Sequence, residues 1–349
     1  MRPLALRGHT RGITQVKFNL EGDIFVSAGK DTDASVWFSH NGERLGTLIG
    51  HNGSIFSVDI DKDSKYCITA SSDETVKLWN LKTGEIFDEI KFQCPVYRVE
   101  FSPDGSKILI VTSTLMKSKG HLIVHNIDRS ANIIEKEPVF SIETHEEYKP
   151  IQVASWSYNG RYIAAGRTDG SLSKFDGETG QVLKHVPNLH EDIIKDIQFS
   201  QDRTYFITSS RDKSAKLIDI ITMDTLKSYD TDSALNSACI TPVKEFVILA
   251  GGQDAKDVTT TSSREGRFES RFFHKIFEDE IGRVSGHFGP INYVAVSPQG
   301  TSFVSGGEDG FVRLHHFDKS YFDFKYEVEK TAEAEQESAA NNGKVSVDA

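Results

Sequence analysis

The sequence predicts an all-β protein: a propeller of seven four-stranded blades, closed by its own N-terminal strand and followed by a short C-terminal helical tail. Three observations predict it. A His and an Asp recur at a nearly fixed separation along the 349 residues. Clear successive copies lie 42 or 45 residues apart. Within each copy, short β-branched and aromatic runs are punctuated by turns of Gly, Asp, Ser and Pro. Units of four short strands at such a period cannot bury their apolar faces singly and stack into a ring.

Five copies are read directly. His9, His51, His145, His190 and His287 open them, and Asp31, Asp73, Asp169, Asp212 and Asp309 follow. The separation is 22 residues in four copies and 24 in the one opened by His145. Six residues after each Asp stands Trp37, Trp79, Phe175, Ile218 or His315. The gaps from His51 to His145 and from His190 to His287 are 94 and 97 residues, two periods each. Two degenerate copies fill them, one marked by Val99–Gly105 with Phe92 in the His position. The other is marked by Cys239–Pro242, with Thr231 in the His position and Gln253 in the Asp position.

The first strands are expected at Ile13–Phe18, Phe56–Ile60, Ile197–Phe199 and Tyr293–Val296, and the second at Ile24–Ala28, Tyr66–Ala70, Tyr162–Ala165, Tyr205–Ser209 and Ser302–Ser305. These runs have the residue types and the bounding turns of strands. The last copy has a third strand at Phe311–Phe317 and no fourth. Arg2–Arg7 has no blade of its own, so it is expected to complete blade seven and remove an open sheet edge. The propeller is therefore assigned to residues 1–325 and the tail to 326–349. Glu327–Ala340 is rich in helix formers, and Asn341–Ala349 is expected to be disordered. The aromatic run Tyr321–Tyr326 is expected to pack on the ring or on a partner.

Formal net charge is −11. A polyanion would be repelled on average, so direct sequence-specific nucleic-acid binding is not expected. Partners with basic segments fit better. No apolar stretch approaches the length of a membrane span, and the first residues lack the pattern of a secretory signal. Cys67, Cys94 and Cys239 lie far apart, which fits a reducing compartment and gives no disulfide or zinc framework. A cytoplasmic protein without cofactor or metal is expected.

The repeated Gly-His, Asp and Trp marks resemble the WD40 family over nearly the whole chain. The resemblance implies a hydrogen-bonded chain inside each blade: His9, Ser27, Asp31 and Trp37 in blade one, and His51, Thr69, Asp73 and Trp79 in blade two. Blade five has His190, Thr208 and Asp212, and blade seven has His287, Ser305 and Asp309. Each set contains the residue types of a Ser-His-Asp triad. A catalytic triad occurs once, whereas these sets recur blade by blade, so they are assigned a structural role and no enzyme activity is expected. Blade four has Ala165 in place of the hydroxyl, and blades three and six lack the His. Those three blades are expected to be held by packing.

A narrower resemblance rests on Lys244–Thr261, on Gly286-His287-Phe288-Gly289-Pro290-Ile291-Asn292 with Gly307–Phe317, and on Trp37–Thr47. These segments resemble the i-subunit family of eukaryotic translation initiation factor 3, of fungal type. The resemblance implies a non-catalytic scaffold that binds the C-terminal segment of the b subunit and an N-terminal segment of the g subunit. It also implies association with the small ribosomal subunit during recruitment and scanning. Another WD40 adaptor, a kinase anchor or a ubiquitin-ligase subunit, is the competing reading. Blade six is long: 34 residues separate Gln253 from His287, against 20 from Asp31 to His51. Gln253 and Asp254 in this stretch are candidate partner contacts, and Arg267–Arg283 is read as long outer strands or a docking edge. Asp202, in the first turn of blade five, and Asp219, at the end of its third strand, should share one exposed face. The resemblance makes them candidate contacts for a basic segment of the b subunit.

Overall fold

The computed structural model describes residues 3–114, 119–143, 148–252 and 268–326. Seven antiparallel sheets of four strands form the ring. Blade one runs from its inner strand Ile13–Phe18 through Ile24–Gly29 and Asp33–Phe38 to the outer strand Arg44–Ile49. The inner strands of blades two to seven are Ile55–Ile60, Val96–Phe101, Ile151–Trp156, Ile194–Phe199, Leu235–Ile240 and Ile291–Val296. Each touches the inner strands of both neighbouring blades, so the seven close around an axis.

Every inner strand skips its second residue in the pairing with the next strand. The skipped residues are Thr14, Phe56, Tyr97, Gln152, Lys195, Asn236 and Asn292. Such a bulge sharpens the twist and re-aims the side chains beyond it. Apolar residues on both sides of each sheet then meet those of the adjoining blades. Seven separate cores result, one at each blade–blade contact. Burial on both faces explains why second strands such as Lys107–Thr112 and Phe246–Gly251 read as near-continuous apolar runs.

Leu4–Arg7 is the outer strand of blade seven, with Leu6 opposite Val312 and Arg7 opposite Phe311, as the sequence predicts. Leu6 is buried in the core between blades seven and one, with Val16, Trp37 and Val312. Polar ties lace the same seam. Asn292 donates to the Ile13 carbonyl (2.7 Å), Gln299 donates to the Glu21 carbonyl (2.7 Å), and Lys30 pairs with Glu308 (2.7 Å).

The aromatic run after blade seven packs on blade six. Tyr321 stacks on Phe317 at 3.9 Å and meets Phe246 edge-on, while Tyr326 stacks on Phe277. A single helical turn, Lys319–Asp323, opens this segment with Asp318 as its N-cap. The helix expected over Glu327–Ala340 lies outside the described residues, as does the rest of the tail. The outer strands of blade six are six residues each, Glu269–His274 and Glu280–Ser285, and are not long. The extra length of that blade falls in residues 253–267, outside the described residues.

Candidate functional site

The upper face carries the loops that enter each blade and the turns between second and third strands. The lower face carries the turns between first and second strands and, in blades one to six, those between third and fourth strands. The two faces hold different chemistry.

On the upper face, the His, hydroxyl and Asp side chains meet in blades one, two, five and seven. In blade two, Trp79 Nε1–H donates to Thr69 Oγ1 (2.8 Å), which lies 2.6 Å from His51 Nε2. His51 Nδ1 is 2.9 Å from Asp73, and Asp73 also accepts the Asn52 backbone N–H (2.9 Å) and the Thr75 hydroxyl (2.7 Å). This set is satisfied throughout when the imidazole is neutral, with its proton on Nδ1. Burial holds the His51 imidazole below its usual range, even though Asp73 pulls the other way. Burial alone would raise Asp73, but donors from Thr75, the Asn52 N–H and His51 outweigh it and hold the carboxyl at about 2.

Blade one repeats the set with Trp37–Ser27 (2.8 Å), Ser27–His9 (2.7 Å) and His9–Asp31 (2.9 Å). Blade five keeps Thr208–His190 and His190–Asp212, both 2.8 Å, without a Trp. Blade seven keeps Ser305–His287 (2.8 Å) and His287–Asp309 (3.1 Å), and Arg313 adds a donor to Asp309 (3.0 Å). In all four blades the residue after the His donates its backbone N–H to the Asp. The network therefore pins the entering loop to the turn. Both ring nitrogens of each His are committed inside the blade.

The blades without this set are not held by packing alone, contrary to the expectation from the sequence. In blade four, Arg167 donates to Ser173 Oγ (3.0 Å) and to the Lys149 carbonyl (2.7 Å), with Tyr148 against its guanidinium at 5.1 Å. It ties the entering loop to the third strand; His145, which opens this blade in the sequence, lies outside the described residues. In blade six, Arg271 pairs with Asp232, beside Thr231 in the His position. In blade three, Thr112 Oγ1 accepts the His121 backbone N–H (2.9 Å).

The lower face opens on the central channel through a cavity of about 600 Å³. In blades one, two, three and five the third or fifth residue of the bulged inner strand is charged, and these groups pair across the channel in balance. Arg203, from the first turn of blade five, reaches Glu100 (3.0 Å), Lys17 lies 3.7 Å from Asp59, and Arg98 lies 3.6 Å from Asp196. Gln198 donates to the Val294 carbonyl (2.8 Å), and Gln15 donates to Tyr293 Oη (3.2 Å). Sequence reasoning missed this belt. Its signal is a polar residue at the third and fifth positions of otherwise apolar inner strands, as in Arg98 and Glu100.

Asp202 sits on the rim of that cavity. It is exposed and accepts from Ser200 (2.5 Å) and Thr204 (2.9 Å). Burial opposes ionisation slightly, but these hydroxyl donors outweigh it and lower the carboxyl. Asp202 has no cationic partner among the described residues. Asp219 pairs in register with Tyr205, at the same end of blade five, so both carboxylates belong to the lower face. Asp219 is half-buried, less open than expected. It caps its own turn by accepting the backbone N–H groups of Ile221 (2.8 Å) and Thr222 (2.7 Å). Lys174 and Lys184 of blade four grip the same turn through the carbonyls of Ile221 (2.7 Å) and Thr222 (2.6 Å). Gln253 and Asp254 lie outside the described residues. Among the described residues, no helix is long and apolar enough to cross a membrane.

Comparison with known proteins places this architecture among relatives. Residues 1–327 match the EIF3I family. The chain is 57% identical over 340 residues to the eukaryotic translation initiation factor 3 subunit I of Kluyveromyces lactis, covering 96% of this chain and 98% of that protein. It is equally similar to the Eremothecium gossypii protein of the same name, at 57% over 340 residues with the same coverage. The Saccharomyces cerevisiae protein of that name is 54% identical over 341 residues, covering 96% of this chain and 98% of that protein.

Proposed function

The chain belongs to the subunit I family of eukaryotic translation initiation factor 3, and on that premise we propose that it is a non-catalytic, cytoplasmic scaffold within the factor. The lower face of blades five and six receives a basic C-terminal segment of the b subunit, with Asp202 and Asp219 as the charged contacts. Gln253 and Asp254 contribute to the partner surface of blade six, and an N-terminal segment of the g subunit docks on the same ring. Held together, these subunits support recruitment of the small ribosomal subunit and scanning.

One observation carries the reading: an exposed carboxylate, Asp202, stands without a cation from the described residues on the rim of the cavity at the channel mouth. An Arg or Lys of the partner would make a charge-assisted bond there, and such bonds orient as well as attract. The non-catalytic role is supported by the His–Asp pairs, whose ring nitrogens are engaged within the blades. Membership of the family leaves the kinase-anchor and ubiquitin-ligase alternatives without comparable support. Native mass spectrometry of the whole factor tests the scaffold reading. The expected subcomplex on gentle dissociation contains this chain with the b and g subunits. Release of this chain with neither partner, at every collision energy, would contradict it.

A further inference from the structure

Phe288 is the most exposed large hydrophobic side chain among the described residues, at 84%. It stands on the upper face, at the opposite end of the ring from Asp202. Its position is fixed rather than loose. The Phe288 backbone N–H donates to Asp309 (3.0 Å), so the blade-seven network pins the residue at its root. Gly286 adopts φ +155°, and a Cβ there would lie 3.3 Å from Arg313 Nε. The absence of that carbon lets the Arg313 guanidinium lie against the loop, 5.9 Å from the Phe288 ring centroid.

The same guanidinium lies 5.2 Å from the Phe311 ring, and Arg7 lies 5.4 Å from the other end of this ladder, again over Phe311. Arg313 is buried and already bonded to Asp309. Arg7 is exposed, and so is Arg11, in the loop entering blade one, whose carbonyl would lie 3.1 Å from a Cβ at Gly310 in the blade-seven turn. Neither meets a carboxylate among the described residues. The neighbouring acids are engaged: Glu308 with Lys30, Asp31 with His9, and Asp309 with His287 and Arg313. The corner therefore presents an anchored aromatic ring and two uncompensated arginines, on a chain of net charge −11.

We propose that this corner docks an acidic peptide segment of a partner protein. One bulky apolar side chain of that segment lies on Phe288, and its carboxylates meet Arg7 and Arg11. A fixed, exposed aromatic residue is the kind of anchor that dominates protein interfaces. Single-stranded RNA would also combine stacking with positive charge, but it needs a basic groove that tracks the backbone. Two arginines on an acidic chain do not make one. The site is independent of the lower-face reading, because its residues lie at the other end of the blades.

The test is photo-crosslinking from position 288. The full chain with Phe288→benzoylphenylalanine is assembled into the purified initiation factor, irradiated, and the adduct mapped. A synthetic copy of the mapped segment is then titrated against the wild-type protein and variants. The expected adduct is a protein segment rich in Asp and Glu beside an apolar residue. Its affinity should fall at least tenfold with Phe288→Ala and with Arg11→Glu, and stay unchanged with Asp202→Lys. Circular dichroism melts of the variants should match the wild type. An adduct with RNA, an adduct with a basic segment, or no adduct in the assembled factor overturns the proposal. So does a peptide whose affinity is indifferent to both Phe288→Ala and Arg11→Glu.

Discussion

Blade two and blade seven contain the same His, hydroxyl and Asp set and are completed differently. Blade two is four consecutive strands, and Trp79 and Thr75 supply the outer donors of its network. Blade seven borrows its outer strand from the other end of the chain. It places His315 where the Trp would stand, stacked on Phe303 at 4.3 Å, and uses Arg313 as the extra donor to Asp309. The difference separates the indispensable part of the device from its decoration. The link from entering loop through His to Asp is constant, whereas the residues around it vary. Blade seven also depends on closure in a way that blade two does not.

Deleting residues 1–7 should show the largest effect. It removes Leu6 from the seam core and uncovers an edge of Phe311–His316. Loss of a buried Leu side chain alone costs about 2–5 kcal/mol. The melting temperature should fall by on the order of 10 °C, and the truncated chain should self-associate. A monomer that melts with the intact protein would show that blade seven is as self-sufficient as blade two.

His51→Ala should cost about 1–3 kcal/mol in urea unfolding, because it leaves Thr69 and Asp73 with a lost buried partner. Partner affinity should fall only as far as the folded fraction does. Arg167→Ala should cost a similar amount if Arg167 holds the entering loop of blade four to its third strand. A neutral Arg167→Ala would restore the view that packing alone holds that blade. His315→Phe should be near neutral, since it keeps the ring stack on Phe303 and removes a buried polar nitrogen.

Acid sharpens the comparison further. Burial holds His51 and His287 below the usual range in the folded state, although their Asp partners oppose it. The unfolded chain then binds the extra protons, so stability rises with pH in that window. It should be full above the ordinary His value of 6.5 and decline as pH falls below it. Asp73, held at about 2, adds stability that is lost as pH falls from its ordinary 3.8 through that value. Denaturation series across pH 7 to 5 should show a shallower decline in His51→Gln than in the wild type. Equal slopes would mean that His51 is not the proton acceptor on unfolding. The smallest effect is expected from truncation before Asn341, which should change neither the melting temperature nor recovery of the b and g subunits in pull-down.

Much of this was legible in the sequence because repetition averages out local ambiguity. The His–Asp spacing, the seven copies and the closing strand are long-range regularities. They also placed Asp202 and Asp219 at one end of blade five. What was not legible depended on geometry that spacing does not encode. The bulge at the second residue of each inner strand turns Lys17, Asp59 and Glu100 toward the axis, and only closure of the ring brings Arg203 to Glu100. Arg167 was missed because its task is recognisable only by what it bridges. The single helical turn at Lys319–Asp323 is too short to give a periodic signal.

On the lower face, Asp202 is an exposed carboxylate on the rim of the channel mouth, and the proposed function makes it the main charged contact for the b subunit. The most direct test is titration calorimetry with the C-terminal segment of the b subunit. That segment is titrated into the wild type and into Asp202→Lys, Asp219→Lys and the double variant, with circular dichroism as the folding control. The double variant should remain folded and bind at least a hundredfold more weakly, about 2.7 kcal/mol. Asp202→Lys should account for most of the loss, since Asp219 is engaged by the Ile221 and Thr222 N–H groups and lies beside Lys174. A folded double variant with wild-type affinity would contradict the proposed role of this face.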